Sequence, residues 1–215
     1  MDPWPLRHLV LRTPRLELRP DDDDGLAELV EETLLGIHPP EEMPFGIGWT
    51  DAPRDRLGIN TFQHYWSERA AFSPHRWNLN FLVRFEGRVI GVQAAHAEDF
   101  AITREFSTGS WIGLRHQGKG IGTEMRAAVV AFGFDHLGAR SVRSSAWSEN
   151  QRSLGVSRRL GYRPDGTAAA IRRGERSQEI RLLLTEDRFI RPEWTLSVDG
   201  LDQCLPLLTQ CEPAM

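Results

Sequence analysis

Lysine is nearly missing from this chain: of 26 basic residues only Lys119 is a lysine, the rest being arginine. Cysteine is scarce too, and Cys204 and Cys211 both lie near the carboxyl end, which excludes a disulfide framework. No apolar run approaches the roughly 20 residues that cross a bilayer. Met1-Asp2-Pro3-Trp4-Pro5 has no basic start followed by an apolar core, so no secretory signal is expected. No set of His, Cys, Asp and Glu has metal-ligand spacing, so no metal is expected. These absences point to a cytoplasmic protein acting away from membranes. A net charge of −4 argues against a general nucleic-acid binder.

What is present is ordinary globular material. With 215 residues, 40% hydrophobic and 26% charged, the chain is long enough for one domain, or one domain with an appendage. Charge is unevenly spread. Residues 21–55 hold eleven acids against Arg54 alone, a net of −10, whereas 139–181 hold ten arginines against four acids, a net of +6. Two solvated faces would account for this, as would a basic half meeting an anionic ligand and an acidic half meeting a cationic one.

Thr13 to Pro20 alternates apolar and charged side chains and reads as a first strand. Asp21 to Asp24 can cap a helix carrying Leu26, Leu29, Val30 and Leu34. Gly36 to Ala52 is expected to be loop, and Arg56 to Phe72 a second helix. Phe81–Phe85 and Arg88–Val92 flank a Glu86-Gly87 turn as a hairpin. Ser110 to Leu114 is a further strand. Ile121, Met125, Ala128, Val129 and Phe132 form one helical stripe that ends near Leu137-Gly138. Ser141 to Ala146 is a strand, Asn150 to Leu160 a helix, and Glu179 to Leu184 a strong last strand. The order β-α-α-β-β-β-α-β-α-β-β predicts a mixed α/β domain over residues 1–190. Residues 191–215 form an extension, expected as an edge strand or an oligomer contact because Trp194 to Val198 alternates.

The richest local signal is Gln117-Gly118-Lys119-Gly120-Ile121-Gly122-Thr123, between an apolar strand and an amphipathic helix. Glycines at alternate positions leave backbone N–H groups open to a ligand, at a helix start that favours negative charge. This is a phosphate or diphosphate cradle. A Walker A loop needs Ser or Thr where Gly120 stands, and a dinucleotide fingerprint needs a different glycine spacing and a later acid.

The spacing Gln117-x-x-Gly120-x-Gly122 resembles the signature of the GNAT acyltransferases. Thr13 to Pro20 is similar to the opening strand of their RimJ/RimL branch. Ser110-Trp111-Ile112-Gly113-Leu114 resembles its coenzyme-binding strand, and Glu149 to Ser153 with Arg159-Leu160-Gly161-Tyr162 its N-x-x-S…LGF segment. The Gly-Ser-Trp strand and Gly-Thr-Glu-Met-Arg helix start are similar to an actinobacterial group, some members of which accept succinyl-CoA. The resemblance implies a central, mostly antiparallel sheet splayed between its fourth and fifth strands. Acetyl-CoA or succinyl-CoA would enter that gap and pass its acyl group directly to a primary amine. Trp111, Ile112, Gly113 and Leu114 would hold the pantetheine arm by main-chain atoms, and the amides of Gln117, Gly118, Lys119, Gly120, Ile121, Gly122 and Thr123 the diphosphate. Asn150 and Ser153 would face the thioester, and Arg158 or Arg159 would reach a phosphate.

A lysine-type acceptor with a pKa near 10.4 is neutral in about one part in 2,500 at pH 7, whereas an α-amine near 7.8 costs only about 1 kcal/mol to neutralise. A base therefore matters most for the former. His96, Glu98, Asp99 and Glu105 precede the Trp111 strand, and Asp99, then Glu98, are the favoured bases. The relatives' tyrosine acid has no counterpart where Ser153 matches, so the general acid is unassigned. For a succinyl donor, Arg104 is the cation at hand. The acceptor is expected to be a small-molecule or protein amine, cationic if the acidic segment faces it, and the protein a homo-oligomer, dimer or higher. A coenzyme-binding sensor or assembly module without turnover is the alternative.

Overall fold

A computed structural model describes residues 2–210. Nine strands form one sheet in the order β7-β8-β6-β5-β4-β3-β2-β1-β9. They are β1 (Val10–Arg12), β2 (Leu16–Pro20), β3 (Arg76–Phe85), β4 (Arg88–Glu98), β5 (Glu105–Ile112), β6 (Ser141–Trp147), β7 (Arg163–Arg172), β8 (Glu175–Thr185) and β9 (Ser197–Asp199). Every neighbouring pair is antiparallel except β5 and β6, which run parallel. The mixed, mostly antiparallel α/β architecture is thus the one expected.

Helices α1 (Asp23–Leu35) and α2 (Arg54–Ala70) cover one face, where Leu26, Leu29 and Tyr65 pack on Leu82, Val89 and Val92. Asp22 starts α1 by accepting the Gly25 amide at 2.6 Å, as the acidic run predicted. A single turn, α3 (Phe100–Thr103), joins β4 to β5. On the other face lie α4 (Ile121–Phe132), α5 (Gln151–Arg159) and α6 (Leu201–Thr209). The α4 stripe fills the larger core with Ile121, Met125, Val129 and Phe132 against Phe81 and Ile90. After Phe132 the helix widens into a π-turn, Gly133–Leu137, where a Cβ on Gly133 would lie 2.2 Å from the Phe106 ring. Only glycine lets helix and strand approach so closely.

Several elements exceed their sequence signals. Strand β1 precedes the expected start, because the chain turns at Thr13-Pro14 rather than running straight. Strands β4 and β5 extend through Ala94–Ala97 and Glu105–Gly109, whose small residues carry little β-propensity. Strand β7, with Pro164 and Gly166, contains a register shift between Pro164 and Thr167. In the extension, β9 pairs with β1 on the chain's own sheet, and α6 buries Cys204 and Leu208. The Trp77 indole donates to the Leu208 carbonyl at 3.2 Å. Cys211 lies outside the described residues.

Leu208→Ala is expected to cost about 2–4 kcal/mol, because it opens a cavity in the main core. Urea unfolding checks this, and a loss below about 0.5 kcal/mol would mean that α6 is not part of that core.

Candidate active site

Parallel strands β5 and β6 pair only at Glu105–Ser141, Phe106–Val142 and Ser107–Arg143. The last stitches are Thr108 Oγ1 to the Arg143 carbonyl (3.4 Å) and Ser144 Oγ to the Thr108 carbonyl (3.3 Å). Beyond them the strands part, and a cleft of about 1110 Å³ opens between β5, α4, β6 and α5. The β5 backbone edge that faces the gap has no strand partner there, so its polar groups await another acceptor or donor.

At the cleft's outer end lies the glycine turn. Gly118 and Gly120 have φ of +75° and +79°, left-handed values that disfavour any other residue. Gly120 caps α4, and the amides of residues 118–122 donate to no acceptor among the described residues. Two expected donors are already used: the Gln117 amide bonds the Leu114 carbonyl, and the Thr123 amide the Gly120 carbonyl. Gln117 contributes its side chain instead. Its Nε2 donates to the carbonyls of Ile37 (2.8 Å) and Ile112 (3.1 Å), and its Oε1 accepts from Arg152 (3.2 Å). It thereby ties the end of β5 to the 36–53 loop and to α5.

Trp111, Ile112, Gln117, Gly118, Gly120, Gly122, Thr123, Asn150, Ser153, Arg158 and Arg159 all line the cleft. Asn150 caps α5 by accepting the Ser153 amide at 3.0 Å. Arg158 and Arg159 are exposed and have no ion-pair partner among the described residues. Four expected residues do not line it. Gly113 packs against Glu32, whose carboxylate would overlap a Cβ there. Leu114 sits in an outward turn, Lys119 is exposed, and the Ile121 side chain is buried in the core.

The favoured bases, Glu98 and Asp99, do not line the cleft. Glu98 and Asp99 stand where β5 and β6 are still paired, at the end of the sheet opposite the opening. Glu98 is 71% exposed, and Asp99 opens α3 while bonding His75 at 2.9 Å. His96 and Glu105 do not line the cleft either, and Glu105 is occupied by Ser141 and Arg143. Arg104 donates to the Leu137 carbonyl at the same closed end. Most of the acidic segment is also spoken for: Asp21 and Asp23 by Arg69, Glu28 by Arg84, Glu31 by Arg88, Glu32 by Arg115, and Asp51 by Arg173.

The cleft's inner wall carries a cation that sequence reasoning passed over. Arg126 on α4 is 5% exposed, donates to Ser157 Oγ (2.9 Å) and Ser110 Oγ (3.2 Å), and has no carboxylate partner among the described residues. Its Nε is buried without a partner among the described residues. Burial lowers its pKa from the ordinary arginine value, and the nearby Tyr162 opposes that shift. The signal was a lone charge in Met125-Arg126-Ala127-Ala128-Val129-Val130, a stretch buried throughout. No group of three metal-ligating side chains is present among the described residues.

The profile of the acetyltransferase (GNAT) domain matches residues 15–163. Among solved structures, Mycobacterium smegmatis RimJ in complex with a CoA-disulfide is 16% identical with a TM-score of 0.68, covering 96% of this chain and 99% of its own. RimL, a ribosomal L7/L12 α-N-protein acetyltransferase in complex with coenzyme A, is 17% identical at 0.67, covering 82% and 97%. A chimera of the Vibrio cholerae spermidine N-acetyltransferase SpeG with hSSAT is 15% identical at 0.64, covering 83% and 99%. These likenesses establish the shared fold. A cleft between two parted parallel strands, a glycine turn at its mouth and a match across most of the chain agree: the protein belongs to the GNAT acetyltransferase family.

Proposed function

We propose that the protein transfers an acyl group from a coenzyme A thioester to a primary amine within a ternary complex. The carrying observation is the run of open amides at residues 118–122, set at a helix start beside a cleft that ends between β5 and β6. A diphosphate satisfies those amides, and the helix dipole favours its charge. Arg158 and Arg159 are free to meet a further phosphate, and the open edge of β5 offers main-chain partners to an amide-bearing arm. The amine attacks the thioester carbon, a C–N bond forms, the C–S bond breaks, and the proton released by the amine balances the departing thiolate. Asn150 and Ser153 stand on the wall opposite β5 in this reading, orienting groups rather than proton carriers. The acceptor is a small-molecule or protein amine. A cationic acceptor has lost most of its support, because the acids of 21–55 are largely paired.

Acetyl-CoA and succinyl-CoA are the candidate donors, and one observation supports the second. A buried guanidinium with open N–H groups and no counter-ion carries a desolvation cost that a carboxylate would offset. Its fork matches a carboxylate side-on. Arg126, rather than Arg104, is therefore the cation assigned to the far end of a succinyl chain.

Gly120→Asp is expected to abolish coenzyme A binding in calorimetric titration while leaving the fold intact by circular dichroism, because it adds strain and like charge to the cradle. Retained affinity would refute the cradle. Arg126→Met is expected to lower the succinyl-CoA to acetyl-CoA ratio of kcat/KM about 30-fold, equivalent to about 2 kcal/mol for a charged hydrogen-bonded pair. An unchanged ratio removes Arg126 from donor selection. Coenzyme A binding without thiol release across a panel of amines would instead identify a binding module.

A further inference from the structure

We infer that Thr13 and Arg15, in the turn between β1 and β2, belong to the coenzyme site as a clamp that aims the glycine turn. This rests on the acyltransferase reading above. Glu124 lies in the first turn of α4, is 8% exposed, and is reached almost entirely from this distant segment. Its Oε1 accepts from Thr13 Oγ1 (2.5 Å) and the Arg15 amide (3.2 Å), and its Oε2 from Arg15 Nε (2.7 Å), with Nη2 at 2.5 Å. Arg15 Nη1 then donates to the Lys119 carbonyl at 3.1 Å.

That last bond fixes the direction of an amide. The carbonyl of Lys119 and the N–H of Gly120 share one planar trans peptide, so they point opposite ways. Holding the carbonyl against Arg15 turns the Gly120 N–H away from it. Gly118 and Gly120 have no side chain to lock this orientation, and the left-handed region they occupy is one of several open to glycine. The turn needs an outside restraint, and Arg15 supplies it.

Charge makes a second contribution. An unpaired Glu124 would place a buried negative charge within one helical turn of the diphosphate. Arg15 neutralises it, with Nε and Nη2 both against Oε2. The clamp therefore prepares the cradle for an anion twice over, through geometry and through charge. Thr13 adds a bond to Glu124 while its own oxygen accepts the Leu16 amide at 3.0 Å, which ties the clamp to the start of β2.

The test is the dissociation constant for coenzyme A in variants shown to be folded at the assay temperature, alongside amide NMR spectra of the glycine turn. Arg15→Met is expected to weaken coenzyme A about 10-fold, the loss of a charge-assisted anchor. It should also displace the Gly120 amide resonance in the ligand-free protein. Arg15→Lys, which keeps charge but not the fork, should recover part of the affinity and leave the resonance displaced. Should Arg15→Met unfold, Thr13→Val takes its place, with about a threefold loss expected from one hydrogen bond. A folded variant that binds coenzyme A within twofold of the parent, with an unmoved Gly120 resonance, overturns the clamp, even where its melting temperature falls. Absence of coenzyme A binding by the parent chain overturns the acyltransferase reading itself.

Discussion

The site depends on two parallel strands that stop pairing. β5 and β6 share three residue pairs and then separate, so a sheet that is continuous on both sides has a wedge in its middle. Such a wedge is costly unless something satisfies the freed backbone groups and props the strands apart. Here the propping is done from one side by α4 and α5, whose side chains reach into the gap. Arg126 bridges them, bonding Ser110 on β5 and Ser157 on α5. The buried guanidinium thus has a structural side as well as a chemical one: it ties α4 to β5 and to α5 beside the opening.

The two charged segments of the sequence answer each other in space. Arg173, from the basic half, makes a two-point ion pair with Asp51 and donates to the Pro40 and Glu41 carbonyls of the acidic half. Arg152 bonds Gln117 and stands 3.9 Å from Glu42. These contacts draw the 36–53 loop against the β7–β8 hairpin and α5, over the mouth of the cleft. Much of the asymmetry is therefore internal. Of the arginines in the basic half without an ion-pair partner among the described residues, Arg158 and Arg159 line the cleft and Arg140, Arg163, Arg176 and Arg181 do not. Exposed pairs of this kind contribute little to stability each, so their effect is on the placement of the loop.

How much of this was legible in the residues varies with the kind of signal. The cradle was readable because glycine at 118 and 120 reports a backbone demand directly. Helices α1 and α4 were readable from their apolar spacing. The end at which the sheet opens was not, because proximity in sequence to the Trp111 strand says nothing about it. Glu98 and Asp99 adjoin β5 through a tight turn and yet face the closed end. Strand β7 escaped definition because proline, glycine and consecutive alanines blur the alternation. Arg126 was overlooked for the opposite reason: one charge in an apolar helix reads as a residue on the outer face, and only the packing of α5 against α4 shows that this face is inside.

The identity of that one buried residue bears on the chain's near-total preference for arginine. On the surface either side chain stays charged. In the wedge the two are not equivalent. A lysine with Arg126's burial would shed its proton to escape desolvation, since buried amines move readily toward neutrality. Arginine starts from a higher pKa than lysine, and burial lowers that of Arg126 from it. It also holds Ser110 and Ser157 with separate nitrogens, while its Nε is buried without a partner among the described residues. A cation is thereby fixed on the wall of the cleft by two side-chain hydroxyls.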